Sequence, residues 1–252
     1  MERRLNEGMS RMKALAFNGS PHMEKSNTSL ILNPFLEGLR EVGVETELLY
    51  TMKLNLRPCL GDANCWVRTP GKCVQNDAAA SVLAKLSESD IVVLACPVYV
   101  DGMPGQMKNV FDRFLPALEP YFDLKDGHCR HALREGYKPA KAVLVSNCGF
   151  WEMDNFVPLV THVKAICKNA SWEYAGALLR PHGPAFSYML EHDLQVKDVV
   201  EAAREAGREL ARDGKVQEAT LKIVSRELLP LEQYVEITNQ LFKTAIDKHS
   251  KR

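Results

Sequence analysis

The sequence has no apolar segment long enough to cross a bilayer. Its longest apolar runs, such as IVVLAC at residues 91–96, have the length of one β-strand, whereas a membrane-spanning helix needs about 20 apolar residues. The first residues, MERRLNEGMSRM, are charged and lack the apolar stretch of a secretory signal. We therefore predict a cytoplasmic protein that does not bind membranes, with a loose N-terminal extension at residues 1–11.

The chain also lacks an excess of charge of either sign. Lys and Arg together number 32, as do Asp and Glu, so the formal net charge is +0. Without a basic stripe, the sequence gives no reason to expect nucleic acid as a partner. The seven cysteines are an odd number, and in a chain without an export signal they indicate reduced thiols rather than disulfides.

Apolar runs of strand length alternate with segments of helical periodicity. This alternation predicts a doubly wound parallel α/β sheet, and its five strands fit the flavodoxin-like order 2-1-3-4-5. Residues 120–140 look like an irregular insertion, and the last 60 or so residues like two or three charged amphipathic helices. We divide the chain after the extension into a flavodoxin-like domain, 12–185, and a C-terminal helical extension, 186–252. The strands are predicted at 13–17, 44–50, 90–97, within AKAVLVSNCG and at 173–180.

The segment NGSPHMEKSNTSL follows the first predicted strand and opens a helix that is expected from about Thr28 to Val42, with Pro34 either kinking it or delaying its start. Its hydroxyl and N–H groups could bind an anion at the helix N-terminus. They could equally cap the helix and nothing more. The spacing matches neither G-x-x-x-x-G-K-S/T nor G-x-G-x-x-G, which disfavours ATP and a Rossmann-bound NAD. The candidate anion ligands are Ser20, His22, Ser26, Asn27 and Thr28.

This segment resembles the phosphate loop of the flavodoxin-like NAD(P)H-dependent FMN reductases, and within them the iron–sulfur flavoprotein branch, although His22 stands where Arg is common. CPVYVDGMPGQMKNVFDRF, after the third strand, is similar to the P-x-Y-x-x-x-x-P-x-x-x-K-x-x-x-D-R stretch of that family. SNCGFWEMDNF, after the fourth, corresponds to its loop around the flavin pyrimidine. The resemblance implies that FMN contacts Pro97, Val98, Tyr99, Val100, Met103, Ser146, Asn147, Cys148 and Gly149. Lys108, Asp112 and Arg113 are expected to hold structure or a subunit contact.

The resemblance implies an FMN-dependent oxidoreductase that takes hydride from NAD(P)H and passes electrons to a small acceptor such as a quinone or a flavin. The alternative is an FMN-containing protein that carries electrons between protein partners. No catalytic side chain is assigned, because flavin carries the chemistry. Apolar residues at helical spacing near the C-terminus, such as Leu231, Val235 and Leu241, favour a homodimer or higher homo-oligomer over packing on the chain's own domain.

Three cysteines are concentrated in RPCLGDANCWVRTPGKCVQND. In the iron–sulfur flavoproteins, C-x2-C-x2-C-x4–7-C binds a 4Fe–4S cluster. The same positions here are Cys59, Asp62, Cys65 and Cys73, so Asp replaces the second thiolate. The alternatives are a Cys3Asp cluster, a zinc site with the same ligands, and a loop without metal, which we favour because thiolates are the usual cluster ligands.

The remaining histidines give weaker signals. His128, Cys129 and His131 in DGHCRHALREGYKPA have a spacing that could suggest a metal site. A solvated loop is the preferred interpretation, and a second one is that this loop covers the flavin of a neighbouring subunit. His162 and His182 are isolated in the sequence and receive no role.

Overall fold

A five-stranded parallel sheet forms the centre of the computed structural model, which describes residues 11–250. The strands follow the order β2-β1-β3-β6-β7 across the sheet, and each neighbouring pair is parallel. The predicted flavodoxin-like order is therefore confirmed, since β6 and β7 are the fourth and fifth strands of this sheet. The strands are β1 (Lys13–Asn18), β2 (Glu45–Tyr50), β3 (Ile91–Pro97), β6 (Lys141–Asn147) and β7 (Glu173–Arg180). Apart from Arg11, the predicted N-terminal extension lies outside the described residues.

Helices cover both faces of the sheet and create two cores. Side chains of β1 alternate between them: Ala14 and Ala16 face one core, and Leu15 and Phe17 face the other. Every residue of β3 is buried, as expected of a central strand that is covered on both sides. The helices are α1 (Asn27–Glu41), α2 (Asn64–Val67), α3 (Ala79–Glu88), α4 (Gly105–Asp112), α5 (Val157–Asn169), α6 (Gly183–Glu191), α7 (Lys197–Asp213), α8 (Glu218–Ser225) and α9 (Leu231–Ser250).

Helix α1 excludes one of the two effects predicted for Pro34, a later start of the helix. It begins at Asn27 and includes Pro34, so the proline does not delay its start. An internal proline costs a helix about 3 kcal/mol. The neighbouring side chains of Ile31 and Phe35 are fully buried in the core, and their burial offsets that cost.

Two glycines lie where α1 crosses α7. A Cβ atom built on Gly38 would lie 1.9 Å from the carbonyl oxygen of Arg204. One built on Gly207 would lie 2.2 Å from the carbonyl oxygen of Phe35. The two backbones are therefore in direct contact, and neither position has space for a side chain.

The predicted irregular insertion at 120–140 is instead a β-hairpin. Its strands, β4 (Leu118–Lys125) and β5 (His128–Leu133), pair in antiparallel fashion. Asp126 and Gly127 join them, both with positive φ (52° and 76°). Asp-Gly is a preferred sequence for the two-residue turn that joins twisted strands, so the hairpin has a local signal at its turn. His128, Cys129 and His131 are consequently strand residues rather than part of a loop.

The C-terminal segment is helical, as predicted, and part of it belongs to the central core. Val199, Ala203 and Leu210 of α7 are buried in the same cluster as α1. The predicted boundary between residues 185 and 186 falls inside α6. No helix among the described residues has both the length and the apolar character needed to cross a bilayer.

Candidate functional site

Three loops meet at the carboxyl edge of the sheet, after β1, β3 and β6. The N–H of Gly19 donates to the carbonyl of Ala95 (2.7 Å), which ties the first loop to β3. The N–H of Val98 donates to the carbonyl of Asn147 (2.9 Å), and Thr28 Oγ1 donates to Asn147 Oδ1 (2.6 Å). The segments predicted to bind one ligand are thus in contact with one another.

In the first loop, two of the predicted hydroxyl ligands already have partners within the chain. Ser26 caps α1: its Oγ accepts from the N–H of Ser29 (3.1 Å) and donates to the carbonyl of Met23 (2.7 Å). The hydroxyl hydrogen of Thr28 is committed to Asn147. These hydroxyls therefore fix the shape of the loop, and its donors must come from other groups.

The donors that are left lie at the first turn of α1. Within residues 11–250, the backbone N–H groups of Asn27 and Thr28 have no hydrogen-bond partner, and neither does the side-chain amide of Asn27. Ser20 accepts from the N–H of His22 (3.3 Å), which leaves its own hydrogen free, and the His22 ring is exposed. Unpaired N–H groups at a helix N-terminus form a site for an anion such as phosphate.

The loop after β3 is a tight turn with an unusual backbone. Tyr99 and Gly102 exchange both backbone hydrogen bonds (2.9 and 3.0 Å), and the two residues between them, Val100 and Asp101, have φ of 45° and 62°. Positive φ is disfavoured for a β-branched residue, and such strain clusters at ligand sites. The Val100 side chain is fully exposed.

The residues on either side of this turn are wholly or partly buried. Pro97 ends β3 and is buried, Val98 is half-buried, and Met103 is buried in the core. The Tyr99 ring is exposed. An apolar wall that leads to an exposed aromatic ring suits a flat heterocycle.

In the loop after β6, the hydroxyl of Ser146 is already hydrogen-bonded, the thiol of Cys148 is buried, and Gly149 has free space around it. Ser146 Oγ donates to the carbonyl of Cys96 (2.7 Å). Burial raises the pKa of the Cys148 thiol, whose Sγ accepts from the N–H of Phe150 (3.3 Å), so this side chain acts as filler. A Cβ atom on Gly149 would meet no atom of residues 11–250 within 4 Å, so a ligand could approach there.

His182 is not isolated, contrary to the expectation from the sequence. Its ring is fully buried and stacks on Trp151, with ring centroids 6.1 Å apart. Its Nε2 accepts from the N–H of Leu228 (3.1 Å) and lies 3.2 Å from a guanidinium nitrogen of Arg180. The sequence could not indicate this, because Leu228 belongs to a distant part of the chain.

Arg180 and His182 both have lowered pKa values. Burial, followed by the charge of Arg180, lowers the pKa of His182 to about 4. Burial, followed by Arg226, lowers the pKa of Arg180 to about 9. The guanidinium of Arg180 donates to the carbonyls of Pro181, Val224 and Arg226. His182 is therefore neutral near pH 7, with its Nδ1 carrying the hydrogen.

The four residues of the cysteine loop line one small cavity, but the side chains of Cys59, Asp62 and Cys73 already have other partners. Both carboxylate oxygens of Asp62 accept from Asn64 (3.1 and 3.0 Å). Cys73 Sγ accepts from Arg113 (3.2 Å). Burial, followed by the neighbouring Cys73, raises the pKa of Cys65, which disfavours the thiolate that metals require.

Among residues 11–250, no three His, Cys, Asp or Glu side chains are placed to hold a metal ion. This arrangement does not fit a 4Fe–4S cluster, which needs four converging ligands. At the end of the cysteine loop, Arg113 makes two hydrogen bonds to the carboxylate of Asp77 (2.7 and 3.0 Å), and both side chains are buried. This contact has a structural role. Lys108 and Asp112, by contrast, form an ion pair that is partly exposed.

The fold and its three loops define a class: a flavodoxin-like α/β protein with unpaired N–H groups at the start of α1 and an apolar turn after β3. The sequence profile of the NADPH-dependent FMN reductases matches residues 12–146, which contain the first two loops and all of β6 except Asn147. The chain belongs to this family, as the sequence resemblance predicted.

Curated relatives cover a similar part of the chain. An iron–sulfur flavoprotein of Methanocaldococcus jannaschii is 36% identical over 105 residues, which are 42% of this chain and 53% of the relative. One of Archaeoglobus fulgidus is 35% identical over 102 residues, 40% of this chain and 48% of the relative. The chain spans about half the length of the curated relatives that it matches.

Solved structures share the fold. A NAD(P)H:quinone oxidoreductase from Methanothermobacter marburgensis superposes with a TM-score of 0.60 at 16% identity, covering 81% of this chain and 98% of that one. An FMN-dependent NADH-azoreductase from Bacillus anthracis, solved in complex with FMN, gives 0.58 at 13% identity and covers 80% and 100%. At this level of identity the likeness establishes the fold alone.

Proposed function

We propose that the chain binds FMN where the three loops meet and acts as an NAD(P)H-dependent oxidoreductase with a small electron acceptor. The observation that carries the proposal is the pair of unpartnered N–H groups at Asn27 and Thr28, next to the apolar turn after β3. Membership of the family supports the same reading. The site offers a phosphate position and a heterocycle position in one crevice.

Each part of the crevice would have its own task. Asn27 and Ser20 would bind the phosphate, and the side chains of Val98 and Tyr99 would contact the ring. The bound flavin would accept hydride from NAD(P)H and reduce the acceptor. The residues of the chain would bind and orient the flavin, and none of them needs to act as an acid or base toward the nicotinamide.

Asn27→Asp tests the phosphate position. The variant places a carboxylate beside the FMN phosphate, and we expect FMN to bind about 30-fold more weakly, a cost of about 2 kcal/mol between like charges near a surface. Riboflavin, which lacks the phosphate, should bind the variant and the wild type equally. An acidic residue in the first turn of a helix is favourable, so folding should not suffer.

Binding is measured by quenching of flavin fluorescence. Asn239→Asp, the same substitution at an exposed position of α9, is the control and should bind both flavins like the wild type. Equal weakening of FMN and riboflavin in Asn27→Asp would contradict the assignment of the phosphate position. A wild-type protein that binds neither flavin would refute the proposed function.

Anaerobic addition of NADH or NADPH to the FMN-loaded protein tests the reaction. Rapid loss of the flavin absorbance supports the oxidoreductase. A yellow protein that neither nucleotide reduces would instead support the alternative, an electron carrier between protein partners, for which the names of the curated relatives are the specific reason.

We further propose that α9 pairs with a second copy of the chain. Tyr234 is buried, but every residue from Asn239 to Ser250 is exposed, including the large apolar side chains of Leu241, Phe242 and Ile246. A helical segment as short as residues 239–250 is marginally stable in water when nothing packs against it. With Val235 and Ile237, these side chains offer on the order of 1,000 Å² over two copies, the lower limit of a stable interface.

Leu241→Glu tests this contact. We expect the wild type to be a dimer or larger by light scattering, and the variant to be a monomer, because a carboxylate would be buried without a partner. Gln240→Glu is the control, since this exposed position lies about 100° or more around the helix from Leu241, Phe242 and Ile246, and it should keep the wild-type mass. A monomeric wild type at micromolar concentration would contradict the proposal.

A further inference from the structure

The loop after β6 (residues 148–150) accepts hydrogen bonds from residues of the chain's C-terminal part. The carbonyl of Cys148 accepts from the N–H of Gly183 (2.8 Å), and the carbonyl of Phe150 from the N–H of His182 (2.7 Å). The carbonyl of Gly149, between them, accepts from the hydroxyl of Tyr234. The C-terminal part of the chain thus engages three consecutive carbonyls of this loop.

Of these three contacts, the one to Tyr234 crosses the greatest distance along the chain. Tyr234 lies 85 residues beyond Gly149, in the first turn of α9, and it is the buried side chain of that helix. Its ring lies 5.7 Å from the ring of His182. Trp151 adds a parallel connection, because its Nε1–H donates to the carbonyl of Leu229 (3.0 Å).

We infer that Tyr234 is a positioning residue that fixes the direction of the Gly149 carbonyl at the flavin site. This inference rests on the proposed function. A glycine peptide rotates easily, and without the hydroxyl of Tyr234 its carbonyl oxygen could turn toward the ligand. Reduced flavin carries more negative charge than oxidised flavin, so a carbonyl dipole turned toward it weakens binding of the reduced form selectively.

The residue lies outside the part of the chain that matches the family profile, residues 12–146. The C-terminal segment would therefore tune a cofactor whose phosphate and ring loops lie in the matched part of the chain. The effect acts on the ratio of the two binding constants, that of reduced and that of oxidised FMN, and a general loss of stability would not change this ratio.

Tyr234→Phe removes only the hydroxyl. We expect oxidised FMN to bind within threefold of the wild type, and reduced FMN about tenfold more weakly, which corresponds to a two-electron midpoint potential lower by about 30 mV. The potential is measured anaerobically on the FMN-loaded full chain against reference dyes. Tyr188→Phe, at an exposed tyrosine of α6, is the control and should keep the wild-type potential.

Trp151→Phe is the second variant, for the case that Tyr234→Phe fails to fold, and a lowered potential is expected there too. An unchanged potential in a Tyr234→Phe protein that binds FMN would refute the inference and leave the proposed function intact. If Tyr234→Phe does not fold, an unchanged potential in Trp151→Phe would refute it. A wild type that does not bind FMN would refute the proposed function itself.

Discussion

Gly207→Ala should prevent folding or lower the free energy of unfolding by more than about 4 kcal/mol. The added methyl group would lie 2.2 Å from the carbonyl oxygen of Phe35 and 2.8 Å from the backbone nitrogen of Leu39. Both atoms belong to the backbone of α1, so no rotamer change can relieve the overlap. The helices would have to separate, and their buried side chains would lose contact on both sides of the crossing.

Gly38→Ala, from the other side of the same crossing, should have an effect of similar size, because its methyl group would meet the carbonyl of Arg204 at 1.9 Å. Gly105→Ala is the matched control. Gly105 is the first residue of α4 and has open space around its Cβ position, so its replacement should change stability by less than about 1 kcal/mol. Urea unfolding of the three proteins measures these differences, and a Gly207→Ala protein as stable as the control would contradict the packing at the crossing.

The sequence could not have predicted this crossing, although it contains part of the signal. Small residues recur on one face of α7, at Ala203, Ala206 and Gly207, which indicates that another segment of backbone packs closely against this face. The partner is α1, and the ion pair between Arg204 and Glu37 beside the crossing spans 167 residues. Hydrophobic periodicity describes the face of one helix and contains no information about which other helix covers it.

The fold itself was predictable because its evidence is local. The apolar run at β3, the Gly- and Pro-rich turns and the β-α alternation determine a parallel sheet, and a parallel sheet places all its carboxyl-end loops on one edge. The positions of Ser20, Tyr99 and Asn147 follow from that rule. Their individual roles do not follow from it. Thr28 donates to Asn147, and only the structure reveals that this hydroxyl is already engaged.

The errors have physical reasons as well. The hairpin of residues 118–133 does not follow from hydrophobic periodicity, because most side chains of β4 are exposed and none of β5 is fully buried, so neither strand has the alternation that identifies a strand with one buried face. His182 has only Arg180 close by in the sequence, whereas Trp151, Leu228 and Tyr234 come from distant segments. Buried polar groups find partners through tertiary structure, and a single sequence does not give those pairings.

The stability of the protein should fall by about 3 kcal/mol between pH 7.5 and pH 4 through His182 alone. In the folded protein the pKa of His182 is lowered to about 4 by burial and by the nearby Arg180, whereas in the unfolded chain it is about 6.5. Below pH 6.5 the unfolded chain binds a proton that the folded protein does not, so acid favours unfolding. The loss is complete only once the pH has passed through the folded pKa.

The surroundings of His182 explain why the folded protein resists that proton. The Nε2 atom already accepts from Leu228 N–H and faces the guanidinium of Arg180. A proton on Nε2 would remove the acceptor for Leu228 N–H and place a positively charged ring beside the positive charge of Arg180. Tyr234 packs from α9, and Arg226 is neutralised by Asp198 (2.6 Å). The acidic side chains that share the adjoining surface cavity with His182 are Glu152, Asp154 and Glu227, and none of them is hydrogen-bonded to the ring.

His182→Gln provides the measurement. A glutamine can still accept from Leu228 but does not titrate, so the difference in unfolding free energy between pH 7.5 and pH 4 should shrink by about 3 kcal/mol relative to the wild type. His128→Gln, at an exposed position of β5, is the control and should leave the pH dependence unchanged. The comparison uses slopes against pH, so a lower overall stability of His182→Gln does not affect it. Parallel pH profiles for His182→Gln and the wild type would show that the buried imidazole is not the group that couples folding to protons.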